Sequence, residues 1–133
     1  MTGNIFVVDD ELDFIDIYRR IFETSGVKIV GHAKSGEEAL ENLAKLTKRP
    51  DLIIMDNHLP GITGVETTVR ILEIDPTASV LFVSVDEQVR HLALKSGAVD
   101  FISKPFSLEK LVSSVMKYCE GSDGWVSSRK VRT

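Results

Sequence analysis

Asp51-Leu52-Ile53-Ile54-Met55-Asp56-Asn57-His58-Leu59-Pro60-Gly61-Ile62-Thr63-Gly64 joins three local signals in one stretch. Leu52 to Met55 is a short apolar run without alternation, the pattern of a strand buried on both faces of a parallel sheet. Asp56 ends it with a residue that strands disfavour. Asp-Asn followed by Pro-Gly is turn chemistry. Thr63-Gly64-Val65-Glu66 then reads as a capping box that opens a helix. The unit is strand, turn and helix, with a carboxylate at the carboxyl end of the strand.

Outward from this stretch the unit repeats. Ile5-Val8, Val80-Val83 and Val99-Ile102 are further apolar runs. Val27-Lys28-Ile29-Val30 is a fifth, and its Lys places it at or near a sheet edge. Between the strands, Glu11 to Ser25 carries Phe14, Ile15, Ile17, Tyr18, Ile21 and Phe22 on a broad stripe, with Gly26 as the stop. Ser35-Gly36-Glu37-Glu38 is a second capping box, with Ala39, Leu40, Leu43 and Leu46 inward. Asp86 caps a fourth helix that ends at Gly97. Ser107 caps a fifth, with Leu108, Leu111, Val112 and Val115 inward. Five βα units with right-handed crossovers predict a doubly wound α/β fold, a parallel sheet with helices on both faces. Ligands of such sheets sit beyond the carboxyl ends of the strands, near the topological switch point.

The chain has 133 residues and 43% apolar content, which fits one domain with an ordinary core. A single cysteine, Cys119, excludes an intramolecular disulfide, and with only three scattered His it argues against zinc. No apolar run approaches the roughly 20 residues that cross a bilayer. Met1-Thr2-Gly3-Asn4 lacks a basic n-region, so no signal peptide is read there. The expectation is a cytoplasmic protein with no membrane partner. Net charge is −4, made of a basic tail of +2 from Gly121 onward and a body of −6. An acidic body is a poor platform for direct nucleic-acid binding and suits a divalent cation better.

The strand ends carry the chemistry. Strand one is followed by Asp9 and Asp10, and strand three by Asp56-Asn57-His58. Strand four ends in Ser84, and strand five in Ser103-Lys104-Pro105. Three carboxylates, one hydroxyl and one amine therefore meet at one edge. Crowded carboxylates repel, and a hard cation resolves the repulsion. Mg²⁺ takes one or two carboxylates, waters and phosphate oxygens. Asp10 and Asp56 could bind it directly, with Asp9 acting through water and a loop carbonyl after Asp56 adding an oxygen. Lys104 would balance the remaining charge and could meet a phosphoryl oxygen. A carboxylate can also attack phosphorus to give an aspartyl-phosphate. Taken singly, each residue has a structural use. Asp9 and Asp10 could cap the first helix, Asp56 a turn, and Ser84 a strand end. Lys104 could be a solvated amine, and isolated His58 reads as a loop residue. Independent structural roles would rarely place all five polar groups at equivalent strand ends.

From about Asn4 to Glu120 the sequence resembles the response-regulator receiver family. Val7-Val8-Asp9-Asp10-Glu11 is similar to its acidic pair, and Asp51 to Asp56 with Leu59 to Gly64 is similar to its phosphoacceptor segment and loop. Ser84 matches the switch hydroxyl, and Gly97-Ala98-Val99-Asp100-Phe101-Ile102-Ser103-Lys104-Pro105-Phe106 matches the last strand with its Lys-Pro. The resemblance implies a flavodoxin-like fold with sheet order 2-1-3-4-5. It implies phosphorylation of Asp56, Mg²⁺ on Asp9, Asp10, Asp56 and the His58 backbone carbonyl, and Lys104 on the phosphoryl group. It implies a cis Lys104-Pro105 bond and a switch made of Ser84 and Phe101. The implied partners are a sensor histidine kinase or phosphotransfer protein, and a downstream protein or output domain. No enzymatic activity is expected beyond the chain's own phosphorylation and slow dephosphorylation.

Three positions depart from the family pattern. Ser84 stands where Thr is also common, Val85 is bulkier than usual and narrows access to Asp56, and Phe101 lacks the hydroxyl of the frequent Tyr. Two rival readings are weaker. A haloacid-dehalogenase-like phosphotransferase or phosphatase needs a second Asp two residues after the nucleophile, where this chain has His58. A degenerate receiver serving only as an interaction module would not need Asp9, Asp10, Asp56, Ser84 and Lys104 together. Residues 1–120 are read as the receiver domain. Residues 121–133 are read as a flexible basic tail or linker stub, in which Gly121-Ser122-Asp123-Gly124 has linker composition and Trp125 follows.

Overall fold

A computed structural model describes residues 3–120. Five strands and five helices alternate: β1 (Gly3–Val8), α1 (Leu12–Glu23), β2 (Val27–Ala33), α2 (Gly36–Lys45), β3 (Leu52–Asp56), α3 (Gly64–Ile74), β4 (Val80–Ser84), α4 (Arg90–Lys95), β5 (Asp100–Ser103) and α5 (Leu108–Glu120). A 3-10 turn, Glu87–Val89, leads directly into α4. The sheet is parallel throughout and its order is β2-β1-β3-β4-β5. Both the flavodoxin-like class and the order match the sequence reading. The tail, residues 121–133, lies outside the described residues, and the tail reading with it.

Alternating side chains of the buried strands divide the core in two. Ile5, Val7, Leu52, Ile54, Leu81, Val83 and Ile102 face α1 and α5 and pack with Ile15, Tyr18, Phe22, Leu111 and Val115. Phe6, Val8, Ile53, Met55, Val80, Phe82 and Phe101 face the other way and pack with Ala39, Ile71, Val89 and Ala93. Every residue of β3 and β4 is buried, as their unbroken apolar runs require. Deep burial holds the central strand ends in place, and with them the polar residues that follow.

The helix starts obey the capping chemistry only in part. Ser35 accepts the Glu38 N–H at 3.1 Å, but the Glu38 carboxylate accepts from the Lys34 N–H at 2.6 Å and does not close the box. Thr63 accepts the Glu66 N–H at 3.1 Å, while the Glu66 side chain pairs with Arg70. Asp86 caps the 3-10 turn through the Gln88 N–H, and Ser107 accepts from Lys110.

Four expectations need correction. α1 is shorter than Glu11 to Ser25, because Thr24 is already its C-cap; Gly26, with φ +81°, turns the chain beyond it. β2 is three residues longer than its apolar run, since Gly31, His32 and Ala33 continue the pairing with β1 after a bulge. Ile17 and Leu108 are 48% and 57% exposed, at the margins of stripes whose centres are buried. Val99 precedes β5 and is exposed, although its N–H still donates to the Val80 carbonyl.

Gly64 fixes how α3 approaches the strand ends. A Cβ built there would lie 2.2 Å from the Asp56 carbonyl oxygen and 2.8 Å from the Asn57 Cα. These obstacles are backbone and cannot rotate away. Ala would gain about 1 kcal/mol of helix propensity, against an overpacking cost of about 3 kcal/mol. Gly64→Ala should therefore destabilise the protein by roughly 2 kcal/mol in urea melts. An unchanged midpoint would mean that α3 withdraws from Asp56 at no cost.

Candidate functional site

The sheet register brings the polar strand ends together. Val8 pairs with Met55, Asp56 with Val83, and Ser84 with Ser103. Asp9, Asp56, Ser84 and Lys104 therefore lie at one carboxyl edge across β1, β3, β4 and β5. The Asp9 N–H donates to the Ala33 carbonyl, and the Lys104 N–H donates to the Ser84 carbonyl. The Lys104-Pro105 bond is cis, as the resemblance implied.

Asp9 and Asp56 are buried, with 1% and 5% exposure. Asp9 accepts the Glu11 N–H through Oδ1 at 2.9 Å, while its buried Oδ2 has no hydrogen-bond partner among the described residues. Asp56 accepts weakly from the His58 N–H at 3.4 Å. The Lys104 ammonium sits between the pair, 3.7 Å from Asp9 Oδ2 and 3.8 Å from Asp56 Oδ2. Asp10 is exposed beside them. One carboxylate oxygen each from Asp9, Asp10 and Glu11 lie within 4.8 Å of one another. An all-oxygen donor set with an unsatisfied buried oxygen fits a hard cation such as Mg²⁺.

Burial raises the Asp9 carboxyl from 3.8 to about 6; the Glu11 N–H and Lys104 pull it back, and Asp56 and Asp10 add to the rise. Burial likewise raises Asp56, with Lys104 opposing. Between pH 4 and 6 the folded, metal-free protein binds more protons at Asp9 than the unfolded chain does. Its stability therefore falls as pH rises through that window. At about 1.4 kcal/mol per unit of pKa, charged Asp9 costs about 1–3 kcal/mol at neutral pH. Asp9→Asn keeps an acceptor for Glu11 and should stabilise the Mg²⁺-free protein at pH 7.5 by about that amount, with little gain near pH 4. Urea melts at the two pH values check this; an equal effect at both would exclude the charge as the cause.

The switch candidates are both buried. The Ser84 hydroxyl accepts the Asp86 N–H at 3.1 Å. Phe101 is 3% exposed and stacks on Phe82, with centroids 6.0 Å apart and planes 12° apart. The Arg90 guanidinium covers its outer face at 4.7 Å and forms a two-pronged bond with Glu87. Val85, expected to narrow access to Asp56, is 63% exposed. His58 is exposed in the loop after β3.

Four residues of this region were not singled out as site residues by the sequence reading. Glu11 completes the acidic trio, and its contiguity with Asp9 and Asp10 was a usable signal. Phe14 lies under the Lys104 ammonium at 4.6 Å. Tyr18 is 1% exposed, and its hydroxyl has no hydrogen-bond partner among the described residues. Burial and the charges of Asp9 and Asp56 push that phenol upward and keep it neutral. Arg90 covers Phe101. The last three are contacts between elements, which helical spacing does not reveal.

A doubly wound parallel sheet with buried carboxylates and a lysine at its carboxyl edge defines a class of small acidic-site α/β domains. The chain belongs to the response regulator receiver domain family, whose model matches residues 5–116. It is 32% identical over 119 residues to the chemotaxis protein CheY of Thermotoga maritima, covering 88% of this chain and 98% of that protein. It is 34% identical to the response regulator GacA of Pseudomonas viridiflava, covering 84% of this chain but only 52% of that protein. Among solved structures it resembles a chain of the CheX-CheY-BeF3-Mg complex of Borrelia burgdorferi, with TM-score 0.80, 30% identity, and coverage of 86% and 87% of the two chains. The chain is a CheY-like receiver domain of two-component signalling. No helix among the described residues is long and apolar enough to cross a membrane.

Proposed function

We infer that Asp56 accepts a phosphoryl group from a sensor histidine kinase or phosphotransfer protein, and that the phosphorylated domain changes the surface it offers a downstream protein or output domain. One observation carries the reading: the Lys104 ammonium lies between two buried carboxylates, neither of which it hydrogen-bonds. That leaves an open nucleophile beside a fixed positive charge. The Asp56 carboxylate oxygen attacks phosphorus, and the bond from phosphorus to the donor's leaving group breaks. The attacking oxygen carries no proton, so no general base is needed. Lys104 stabilises the charge on the phosphoryl oxygens. Asp9, Asp10, Asp56 and the His58 backbone carbonyl would hold Mg²⁺, with Glu11 adjoining them. When bound, the ion supplies Lewis-acid neutralisation of phosphoryl charge. The named BeF3-Mg complex of the Borrelia relative supports this chemistry.

Incubation with acetyl phosphate and Mg²⁺, followed by intact-mass measurement, tests the reading. One added phosphoryl group that disappears when EDTA replaces Mg²⁺ is the expected result; no gain in wild type would sink it. Asp10→Ala should weaken Mg²⁺ binding about tenfold or more. Thermal melts give an independent check. Mg²⁺ at ten times its dissociation constant stabilises the wild type by about 1.4 kcal/mol. At the same concentration the variant should gain little.

A further inference from the structure

Lys104 is held by a group that carries no charge. Its ammonium lies 4.6 Å from the centroid of the Phe14 ring, within cation–π range. The distances of 3.7 and 3.8 Å to Asp9 and Asp56 are too long for direct hydrogen bonds. The Lys104 side chain is only 12% exposed, so little water competes for it. A mobile amine with two buried carboxylates in reach would close onto one of them. The ring offers a third attraction and keeps the amine between the two. Phe14 is itself braced, since it packs on the core facing α1 and α5. It also lies against Tyr18 one turn on, with centroids 6.5 Å apart.

We propose that Phe14 is a positioning residue for phosphoryl transfer: its ring holds the Lys104 ammonium off Asp56 Oδ2, where it can meet an incoming phosphoryl oxygen. The proposal rests on Asp56 being the phosphoacceptor. Phe14 touches no reacting atom and acts only through Lys104. With the ring removed, the amine closes the ion pair with Asp56 or Asp9 to hydrogen-bond distance. That blunts the nucleophile and occupies an oxygen that the metal would use. Tyr keeps the aromatic face and Leu keeps only the apolar bulk.

The full chain carrying Phe14→Leu or Phe14→Tyr tests this with two readouts. In NMR spectra, ring current shifts the Lys104 ε-methylene protons upfield in the wild type. Phe14→Leu should return them downfield, and Phe14→Tyr should keep them. At saturating Mg²⁺ with acetyl phosphate, Phe14→Leu should be phosphorylated about fivefold more slowly, and Phe14→Tyr within about twofold of wild type. Unmoved Lys104 resonances in Phe14→Leu would overturn the proposal. So would wild-type rates in Phe14→Leu, or a Tyr variant as slow as Leu. The two readings fail in distinguishable ways. A wild type that is never labelled overturns the phosphoacceptor assignment and this proposal with it. A labelled wild type matched by Phe14→Leu overturns the role of Phe14 alone.

Discussion

Asp56→Asn will take up no phosphoryl group from acetyl phosphate under conditions that label the wild type. The amide has almost the shape of the carboxylate, but it is neutral and a poor nucleophile. The substitution should not unfold the protein. Asp56 is 5% exposed, and burial already disfavours its charged form. The Asn57 carbonyl and side chain tie the loop to α3 through Gly64 and Val65, and neither bond uses the Asp56 carboxylate. Loss of labelling in a folded Asp56→Asn protein therefore reports the nucleophile. Circular dichroism checks the fold beside the mass measurement. Labelling equal to wild type would place the nucleophile elsewhere.

Lys104→Ala should slow phosphorylation of Asp56 by about a hundredfold, the scale seen when one donor to a developing oxyanion is removed. The lysine does two jobs that pull in one direction. It lowers the cost of charge on Asp9 and Asp56, and it would balance charge on incoming phosphoryl oxygens. Ser84→Ala should behave differently. The nucleophile and the acidic trio stay, so labelling should persist. The Asp86 N–H loses its acceptor, and with it the tie between the end of β4 and the 3-10 turn that leads to Arg90. The hydroxyl accepts from Asp86, so its proton would be available to a phosphoryl oxygen; turning toward that oxygen would stretch the Asp86 tie, and Ser84 would act as a two-state element biased by differential contacts. Amide shifts of residues 83–89 and Phe101 on adding beryllofluoride measure this. A full wild-type response in Ser84→Ala would remove this route, and Lys104→Ala labelled at the wild-type rate would remove the lysine from the chemistry.

The parts of the fold legible in the sequence are those where burial is nearly complete. β3 and β4 are buried at every position, so their apolar runs and their polar ends contrast sharply. β2 is an edge strand with one neighbour, and its half-buried Gly31 and exposed His32 carry no such pattern. The bulge at Val30 is invisible for a further reason. It coincides with the close approach of Gly31 to the Phe6 ring, a contact between strands. α4 has only six residues, and Leu92 and Leu94 are both exposed, so its stripe is too short to read. Strand-end residues could be named because the register of a parallel sheet aligns them. How each one is buried could not. Adjacent Asp9 and Asp10 look alike in sequence, yet one is sealed under the sheet edge and the other faces water. Lys104 could be placed beside the carboxylates from strand order, but not on Phe14, because that contact needs α1 packed against the sheet.

Peptide mapping of the phosphorylated wild type is the most direct measurement of the central claim. Borohydride reduces an aspartyl phosphate to the alcohol and releases phosphate, so the modified residue becomes homoserine. After labelling with acetyl phosphate and Mg²⁺, reduction and digestion, homoserine is expected at Asp56 and nowhere else. Homoserine at Asp9 or Asp10 with Asp56 unchanged, or a phosphoryl group that survives borohydride on a serine or threonine, would contradict the account.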